Sequence, residues 1–411
     1  MRGVERRSAS VFRSPDFLRL WTSTTASGLA TWALPFILGL AVLDRSMTAV
    51  ALGVVLAART VGFLVAVPVA GVLADRYPRR RIVLWAGLLA AGASPLIALG
   101  LGRSTVVMAV AAAVAGAGQG ACRPAFQALT AEVVADDRRQ EANAAMTLAV
   151  RVTTLVAPGL TAVLAVVVDT PALLVATGVL WLAAALLPPR GTARVAVTTA
   201  RPRFVADFVA GLREARRHPW FLAGLGALTA VIATGYSATG VALPLVSRDR
   251  YGTEAVLAAA LTAYTLGALV GAVLMARWRP RAQGWVALAG LGAYGVAPVS
   301  LLLSVPAPVV VGAYVVAGLG IELFNVPWFT GTQREVEPTM LARVSSLDFL
   351  LSYGLAPVGL ALIAPAIDHF GARPVLAVCA VVCFAAPAAA ALVPSTREFR
   401  APSPGPGGPG R

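Results

Sequence analysis

The most restrictive feature of this sequence is a series of long apolar stretches separated by short polar connections. A helix that crosses a membrane needs about 20 mostly apolar residues, because the hydrocarbon core of a bilayer is about 30 Å thick. The sequence contains twelve stretches of this kind, and it therefore predicts an all-α membrane protein with twelve transmembrane helices. The predicted spans cover approximately residues 18–43, 48–74, 82–101, 105–128, 142–168, 171–189, 220–246, 253–276, 283–304, 308–332, 342–366 and 373–393.

The composition agrees with a chain that is solvated by lipid. Hydrophobic residues make up 58% of the 411 residues and charged residues only 13%, whereas soluble proteins are about 45–50% apolar and about 25% charged. The net charge of +15 is the one feature that favours nucleic acid as a partner. Its arginines, however, lie between apolar stretches and not on a basic face or stripe, so we exclude nucleic-acid binding.

The distribution of arginine predicts the orientation of the chain. Short cytoplasmic connections of membrane proteins carry an excess of basic residues. With the N-terminus placed in the cytoplasm, 25 arginines fall on the cytoplasmic side of the predicted spans and 5 on the other side. This alternation stays in phase through all twelve spans, so both termini are predicted to be cytoplasmic. We expect a multi-pass protein of the inner, or plasma, membrane that functions as a monomer.

The spans are predicted to form two six-helix halves. Residues 115–133 can be laid on residues 317–336, and both stretches start inside a span, reach a proline and leave the membrane through threonine and an acidic residue. The predicted organisation is an N-terminal bundle over 1–189, a cytoplasmic linker over 190–219, a C-terminal bundle over 220–394 and a disordered Pro/Gly-rich tail over 395–411. Phe204, Phe208, Val209 and Leu212 recur at helical spacing in the linker, which predicts an amphipathic helix on the inner membrane surface.

A charged motif, GVLADRYPRRR, follows the second apolar stretch. Gly71 permits close approach of a neighbouring helix. Asp75 near a helix C-terminus is unfavourable against the helix dipole, so it needs a partner. Such a contact is breakable, and we interpret Gly71, Asp75, Arg76, Arg79 and Arg80 as a conformational latch. An ordinary positively charged cytoplasmic loop is the alternative, but it explains only the arginines.

This motif resembles the loop between spans two and three of the major facilitator superfamily, commonly G-x-x-x-D-R-x-G-R-R. All five residues match, and Pro78 replaces the second glycine. The resemblance implies the fold of that superfamily, with spans one, four, seven and ten around a central cavity. Three further stretches are similar to the branch that includes the enterobactin exporter and bacterial drug efflux permeases: FRSPDFLRLWTSTTASGLATWALPFIL, FVADFVAGLREARRHPW and TQREVEPTMLARVSSLDFLLSYGLAPVG.

Three arginines lie well inside predicted spans, where a charge is costly and is a functional hypothesis by default. Arg123 shares a face of span four with Gln119, and the resemblance directs that face toward the substrate path. Together with Arg151 in span five, Arg123 would suit an anionic substrate, although ion pairs with Glu132 or Glu141 are a structural alternative. Arg59 lies nearer the outer side, and we expect it to reach outward or to pair with Asp44.

Acidic and aromatic residues complete the predicted pathway. Glu322 lies near the middle of span ten, with Asn325 on the same face, and it is the candidate for taking up and releasing a proton. The alternative is a structural role that holds helices together. Asp348 is expected to form a local pair with Arg343 or a gate. Trp32, Tyr236 and Trp328 could line the cavity, but aromatic residues in spans are more often packing residues or interface anchors.

The sequence therefore favours a secondary active transporter that exports a small organic compound, such as a drug, siderophore or metabolite, by proton-coupled alternating access. Small-molecule substrate, protons and the lipid bilayer are the expected partners. An importer of a small metabolite and a non-transporting sensor or assembly protein stay open as alternatives. No phosphate-binding loop or nucleophile motif is present, so we expect no enzymatic activity, cofactor or metal.

Overall fold

In a computed structural model, residues 10–191, 204–253, 255–354 and 356–399 are described, and these ranges contain helices and no β-strand. The helices of the first half are α1 (Pro15–Leu43), α2 (Ala49–Arg76), α3 (Arg79–Gly100), α4 (Thr105–Val133), α5 (Arg139–Leu164) and α6 (Thr170–Leu186). Those that follow are α7 (Phe204–Arg217), α8 (Pro219–Val231), α9 (Ser237–Tyr251), α10 (Ala255–Arg277), α11 (Gln283–Ala293), α12 (Val296–Leu302), α13 (Ala307–Glu335), α14 (Leu341–Gly354), α15 (Ala356–Phe370) and α16 (Ala372–Ala390).

Local sequence explains where several helices begin. The hydroxyl of Ser14 accepts from the backbone N–H of Phe17 at the start of α1, and Ser104 caps α4 in the same way. Asp169 caps α6 through the N–H of Ala172. Each cap satisfies a backbone donor that the first turn of a helix leaves open. Prolines inside α1 to α5 do not end these helices, which is common in spanning helices.

Ten helical segments in the described ranges are long and apolar enough to cross a membrane. Helix α6 is apolar but has only 17 residues, and the predicted eleventh span falls on α14 and α15, on either side of residue 355, which lies outside the described residues. Valine and leucine side chains along α2 to α4 are exposed, for example Val61, Leu89 and Val110. A multi-pass membrane protein accounts for these exposed apolar faces, whereas the exact number of spans and the side of each terminus stay predictions.

The described residues fall into two compact units. The first lies within Met1–Ala66 and Tyr77–Val197, and the second within Val67–Arg76 and Thr198–Arg411. The end of α2 is therefore grouped with the second unit, and the division falls between Arg76 and Tyr77, inside the charged motif.

In the first unit, glycines bring α2 and α4 into backbone contact. A methyl group on Gly62 would overlap the carbonyl of Ala113, and one on Gly116 would overlap the carbonyl of Arg59. Helix α3 packs against α4 and α6, and α1 packs against α5 and α6. Small residues at such crossings let helices approach closely where lipid supplies no hydrophobic drive for association.

The second unit repeats this arrangement. A methyl group on Gly267 would overlap the carbonyl of Val315, and one on Gly318 would overlap the carbonyl of Tyr264, so α10 crosses α13 as α2 crosses α4. Helix α11 packs against α13 and α16, and α8 packs against α16. Gly116 and Gly318 occupy equivalent places in the two stretches that were aligned from sequence, which gives that repeat a physical basis.

The structure describes two further parts of the predicted organisation, the linker helix and the start of the tail. The predicted linker helix exists as α7, and its Gly211 packs against Cβ of Arg343 on α14. The predicted disordered tail begins too early, because Pro394–Arg397 form a 3-10 turn and the ring of Phe399 is completely buried. Phe399 packs on Trp220 and Trp328. Residues 400–411 of the tail lie outside the described residues.

Candidate functional site

Arg59 is the centre of a polar cluster inside the first unit. Its Nη2 donates to Oε1 of Gln119 at 2.7 Å and to the backbone carbonyl of Thr31 at 3.0 Å. These contacts join α1, α2 and α4. Within the described part of the chain, no carboxylate pairs with Arg59. A charged guanidinium in a spanning helix is thus held by two neutral acceptors.

The packing of α2 on α4 explains why the guanidinium of Arg59 lies beside Gln119. The backbone of Arg59 lies directly against Gly116, three residues before Gln119 on α4. Residues three apart on a helix share a face, so the crossing that places the Arg59 carbonyl on Gly116 also brings its side chain to Gln119. Gln119 is the midpoint of α4, 14 residues from each end, which puts the cluster near the middle of the span.

Arg123 adds a second positive charge to this region. It follows Gln119 by one helical turn, is half-buried, and interacts electrostatically with Arg59. Arg151 lies on α5 and is also half-buried. Two residues further along, the side chain of Thr153 fills the space above Gly28 of α1.

The sequence-based expectation for Arg59 was wrong in direction. Arg59 was expected to reach outward or to bind Asp44, but its guanidinium turns to Gln119. Asp44 instead accepts from the hydroxyl of Thr170 at 3.2 Å. Of the acids considered as structural partners for the other arginines, Glu132 pairs with Arg79, and Glu141 accepts from Ser10 and Val11.

Glu322 lies at a helix contact in the second unit. It is completely buried, and its Cβ lies 3.0 Å from the position that a Cβ on Gly271 of α10 would take. Asn325 is half-buried one turn further along α13. The glutamate therefore lies on the face of α13 that packs against α10.

The tryptophans named from sequence occupy different environments. Trp32 on α1 is 37% exposed. Trp328 is completely buried and stacks against Phe221 and Phe324, with ring centroids 4.9 and 5.3 Å apart. Trp328 therefore belongs to a packed aromatic cluster, which is the more common role expected of aromatic residues in spans.

Asp348 also differs from its expected role. Its Oδ2 accepts from Nε1 of Trp328 at 3.1 Å and its Oδ1 from the hydroxyl of Ser352 at 3.0 Å. The expected pair with Arg343 is not formed in the described structure. The sequence pointed to both Asp348 and Trp328 but gave no sign that they meet.

Residues of the charged motif after α2 make contacts within each of the two units. Gly71 packs against Ser346 and the carbonyl of Ala342 on α14, within the second unit. In the first unit, buried Arg79 pairs with Glu132 at 2.5 Å and donates to the carbonyl of Ala128.

The other three residues of this motif are Arg80, Arg76 and Asp75. Arg80 donates through Nε to the carbonyl of Pro188 at 2.9 Å, also within the first unit. Arg76 is half-buried, and the side chain of Asp75 lies outside the described residues.

A cluster of tyrosines occupies the second unit at the place equivalent to the arginine cluster. Tyr264 is held against Gly318 as Arg59 is held against Gly116, and its ring makes an edge contact with Tyr294. The hydroxyls of Tyr294 and Thr239 lie 3.0 Å apart. Five residues of π-helix, Ile232–Tyr236, precede this threonine, and such segments are frequent at functional sites.

Comparison with known proteins assigns this architecture to a family. The family model described as "Major Facilitator Superfamily" matches residues 20–360. The chain belongs to the Major Facilitator Superfamily. Membership confirms the coarser part of the resemblance read from the motif after α2, while the exporter branch is a finer assignment that the family match does not address. A search of curated protein sequences found no match.

Solved structures of superfamily transporters share the fold. The human organic anion transporter MFSD10 (TETRAN) has a TM-score of 0.76 at 15% identity, over 92% of this chain and 99% of that one. A bacterial homologue of the iron transporter ferroportin, in an outward-facing state, has a TM-score of 0.71 at 16% identity, over 93% of this chain and 98% of its own. At these identities the likeness establishes a superfamily fold and gives no substrate.

A metal site does not emerge from the residues that are described. In those ranges, no three His, Cys, Asp or Glu side chains come together in a way that could hold a metal ion.

Proposed function

We propose that this superfamily member is a secondary active transporter that exports a small organic anion in exchange for protons. The observation that carries the proposal is Arg59, a cation in the middle of the bundle whose described partners are the neutral acceptors Gln119 and Thr31. Arg123 adds positive charge beside it. Charges inside a membrane protein are rare and mark substrate or ion pathways.

The chemistry of guanidinium groups favours an anion. Arginine presents donors in a planar fork that matches carboxylate, sulfonate and phosphate oxygens. In this account the amide of Gln119 holds Arg59 while the site is empty, and an anionic substrate takes over part of its donor capacity. Arg151, Trp32 and Asn325 are the further residues proposed for the pathway. The description of MFSD10 as an organic anion transporter supports the same class of substrate.

A metal cation is the less favoured cargo. The ferroportin homologue is described as a homologue of an iron transporter. Beside Arg59 and Arg123, however, a divalent cation would be repelled, and its usual oxygen ligands are carboxylates. We therefore infer an organic anion such as a siderophore, an acidic drug or an acidic metabolite.

The motif after α2 is proposed as a latch between two conformations of the cycle. Arg79 and Arg80 bind acceptors in the first unit, whereas Gly71 packs on α14 in the second. Asp75 and Arg76 lie between these anchors in the chain. Breaking and remaking contacts at Asp75 would then accompany the change of access.

Proton coupling is assigned to Glu322 in this proposal. A buried carboxylate that changes protonation alters the electrostatic free energy of the helices around it. Because Glu322 contacts α10 at Gly271, a change in its protonation would also affect the packing of that second helix.

The test of this function uses the purified full chain in liposomes with a pH gradient of either sign. The probes are radiolabelled naphthalenesulfonate, which stays ionised, and a naphthyl trimethylammonium ion of similar size. The proposal expects the sulfonate to accumulate in the acidic compartment, since an exchanger moves it opposite to the protons. Accumulation in the alkaline compartment would indicate an importer. Movement of the cation alone would contradict the anion assignment, and no movement of either probe would favour a non-transporting protein.

A further inference from the structure

Asp348 is a buried carboxylate whose two partners are neutral donors. The residue is 5% exposed. Its described hydrogen bonds come from the indole of Trp328 and the hydroxyl of Ser352. Taking a carboxylate out of water without a cation is strongly unfavourable, and neutral hydrogen bonds offset only part of that cost.

In the described ranges, no charged group on the elements that pack around α14 forms an ion pair with this carboxylate. These elements are α7, α8, α13, α15, the π-helical segment and the end of α2. In the described ranges none of their charged side chains lies within ion-pairing distance of Asp348, and neither does Arg343 on α14 itself. The groups considered are Arg76, Arg213, Glu214, Arg216, Arg217, His218, Glu322, Arg334, Glu335, Asp368 and His369.

The location of Asp348 suits a group that exchanges protons with the connection between α13 and α14. Asp348 lies seven residues from the start of α14, and Trp328 lies seven residues from the end of α13. At 1.5 Å per residue, each is about 10 Å from that connection. Ser345, Asp348 and Ser352 share one face of α14, and all three are buried. Ser345 lies between the connection and Asp348, one turn before the carboxylate on the same face.

Trp328 connects the Asp348 carboxylate to the packing between α13 and α14. The indole is completely buried, stacked between Phe221 and Phe324, and its N–H donates across the contact between α13 and α14. An ionised carboxylate only accepts hydrogen bonds, whereas a protonated one carries a donor of its own. Whichever oxygen takes the proton, the hydrogen bond from the indole N–H loses its ionised acceptor and becomes the weaker bond between neutral groups. Protonation thus changes a hydrogen bond that joins these two helices.

We propose that Asp348 is a proton-binding site of the transport cycle, and that its protonation state controls the Trp328–Asp348 link between α13 and α14. This inference rests on the proton coupling proposed above, and it adds a second acid to Glu322. One proton is taken up by a carboxylate oxygen and is later returned to water, with no other bond made or broken. The link is formed in the ionised state and is weakened in the protonated state.

The first test measures proton binding without transport. Infrared difference spectra between neutral and acidic pH are recorded for purified wild type and Asp348→Asn. The expected result is a protonated-carboxyl band in the wild type that is missing from the variant. Trp328→Phe should shift the pH at which this band forms, whereas Trp85→Phe, on an exposed tryptophan, should not. Identical spectra for wild type and Asp348→Asn would overturn the proposal.

The second test measures coupling in liposomes with naphthalenesulfonate as the probe. Asp348→Asn should retain exchange of labelled for unlabelled probe but lose proton-driven accumulation by at least about tenfold, a change of about 1.4 kcal/mol in driving free energy. If the wild type is proton-driven and Asp348→Asn matches it, the inference fails while the proposed function stands. If the wild type shows no proton-driven flux, the proposed function fails, and the infrared experiment still decides whether Asp348 binds a proton. Should Asp348→Asn not fold, Trp328→Phe carries both measurements, and no effect of that variant would overturn the proposal.

Discussion

Arg59 donates to Gln119 at 2.7 Å across the crossing of α2 and α4, at a point where the backbone of Arg59 rests on Gly116. The same crossing therefore fixes both the helix packing and the direction of the charge. In the second unit the equivalent contact carries Tyr264 on Gly318. The two units share a packing device, but the first supplies a cation and the second a phenol.

Glycine substitutions test this packing device. Gly116→Ala and Gly318→Ala each place a methyl group against a backbone carbonyl that has no rotamer to change, so each should destabilise the protein by about 1–3 kcal/mol. Gly92→Ala and Gly312→Ala are matched controls, because no atom lies within 4 Å of the added Cβ. The measurement is the thermal unfolding of the purified protein in detergent. Equal unfolding temperatures for all four variants would contradict the assigned role of these crossings.

Asp75→Asn tests the latch. If the proposed latch operates, the variant should bind the substrate with an unchanged dissociation constant but exchange it more slowly, because a neutral amide replaces the carboxylate on which the latch depends. Binding and exchange rates are compared in the same preparation. Asp249→Asn, at an exposed aspartate, is the control. A turnover equal to that of the wild type would refute the latch.

Glu322→Gln tests the coupling residue that was proposed from sequence. The amide keeps the shape of the side chain at Gly271 but cannot cycle a proton. We expect exchange of labelled for unlabelled probe to continue and proton-driven accumulation to be lost by about tenfold or more. Undiminished proton-driven flux would remove Glu322 from the coupling mechanism and leave the buried carboxylate at this contact with a structural role.

Phe399 tests the ordered end of the chain. Its buried ring packs on Trp220 and Trp328, and its carbonyl accepts from Arg334 at 2.9 Å. Phe399 has a φ of +51°, which is unusual for a residue other than glycine, and the packing and hydrogen bond hold it there. Phe399→Ala should lower the free energy of unfolding by about 3–5 kcal/mol, whereas Phe370→Ala, at an exposed ring, should change it little. A small effect of the first variant would show that this docking contributes little to stability.

The helices themselves followed from the sequence with good accuracy. Long apolar stretches gave the positions of α1 to α5 within a few residues, because few other structures can satisfy their backbone in lipid. The family followed from the spacing of Gly71, Asp75, Arg76, Arg79 and Arg80. These features are local, so they can be read without tertiary information.

The contacts of the candidate site could not be predicted in the same way. The sequence placed Arg59 inside α2, but it gave neither its position near the middle of the bundle nor the direction of its side chain, which depend on the crossing at Gly116. Trp328 and Asp348 are 20 residues apart and meet only because α13 and α14 fold back on one another. Phe399 lies next to a Pro/Gly-rich segment. The composition of that segment predicted disorder and gave no sign that the Phe399 ring packs into the bundle.

The measurement that tests the central claim most directly is anion binding by Arg59→Gln. Thermal stabilisation of the purified protein is recorded with naphthalenesulfonate, with the neutral sulfonamide and with the naphthyl trimethylammonium ion, for wild type, Arg59→Gln and Arg103→Gln. Losing a charge-assisted hydrogen bond of about 1.5–3 kcal/mol should weaken sulfonate binding roughly tenfold to a hundredfold. The account predicts that the sulfonate alone stabilises wild type and the exposed-loop variant Arg103→Gln, and that Arg59→Gln loses this effect. Equal stabilisation of Arg59→Gln and wild type by the sulfonate, or stabilisation of wild type by the cation alone, would contradict it.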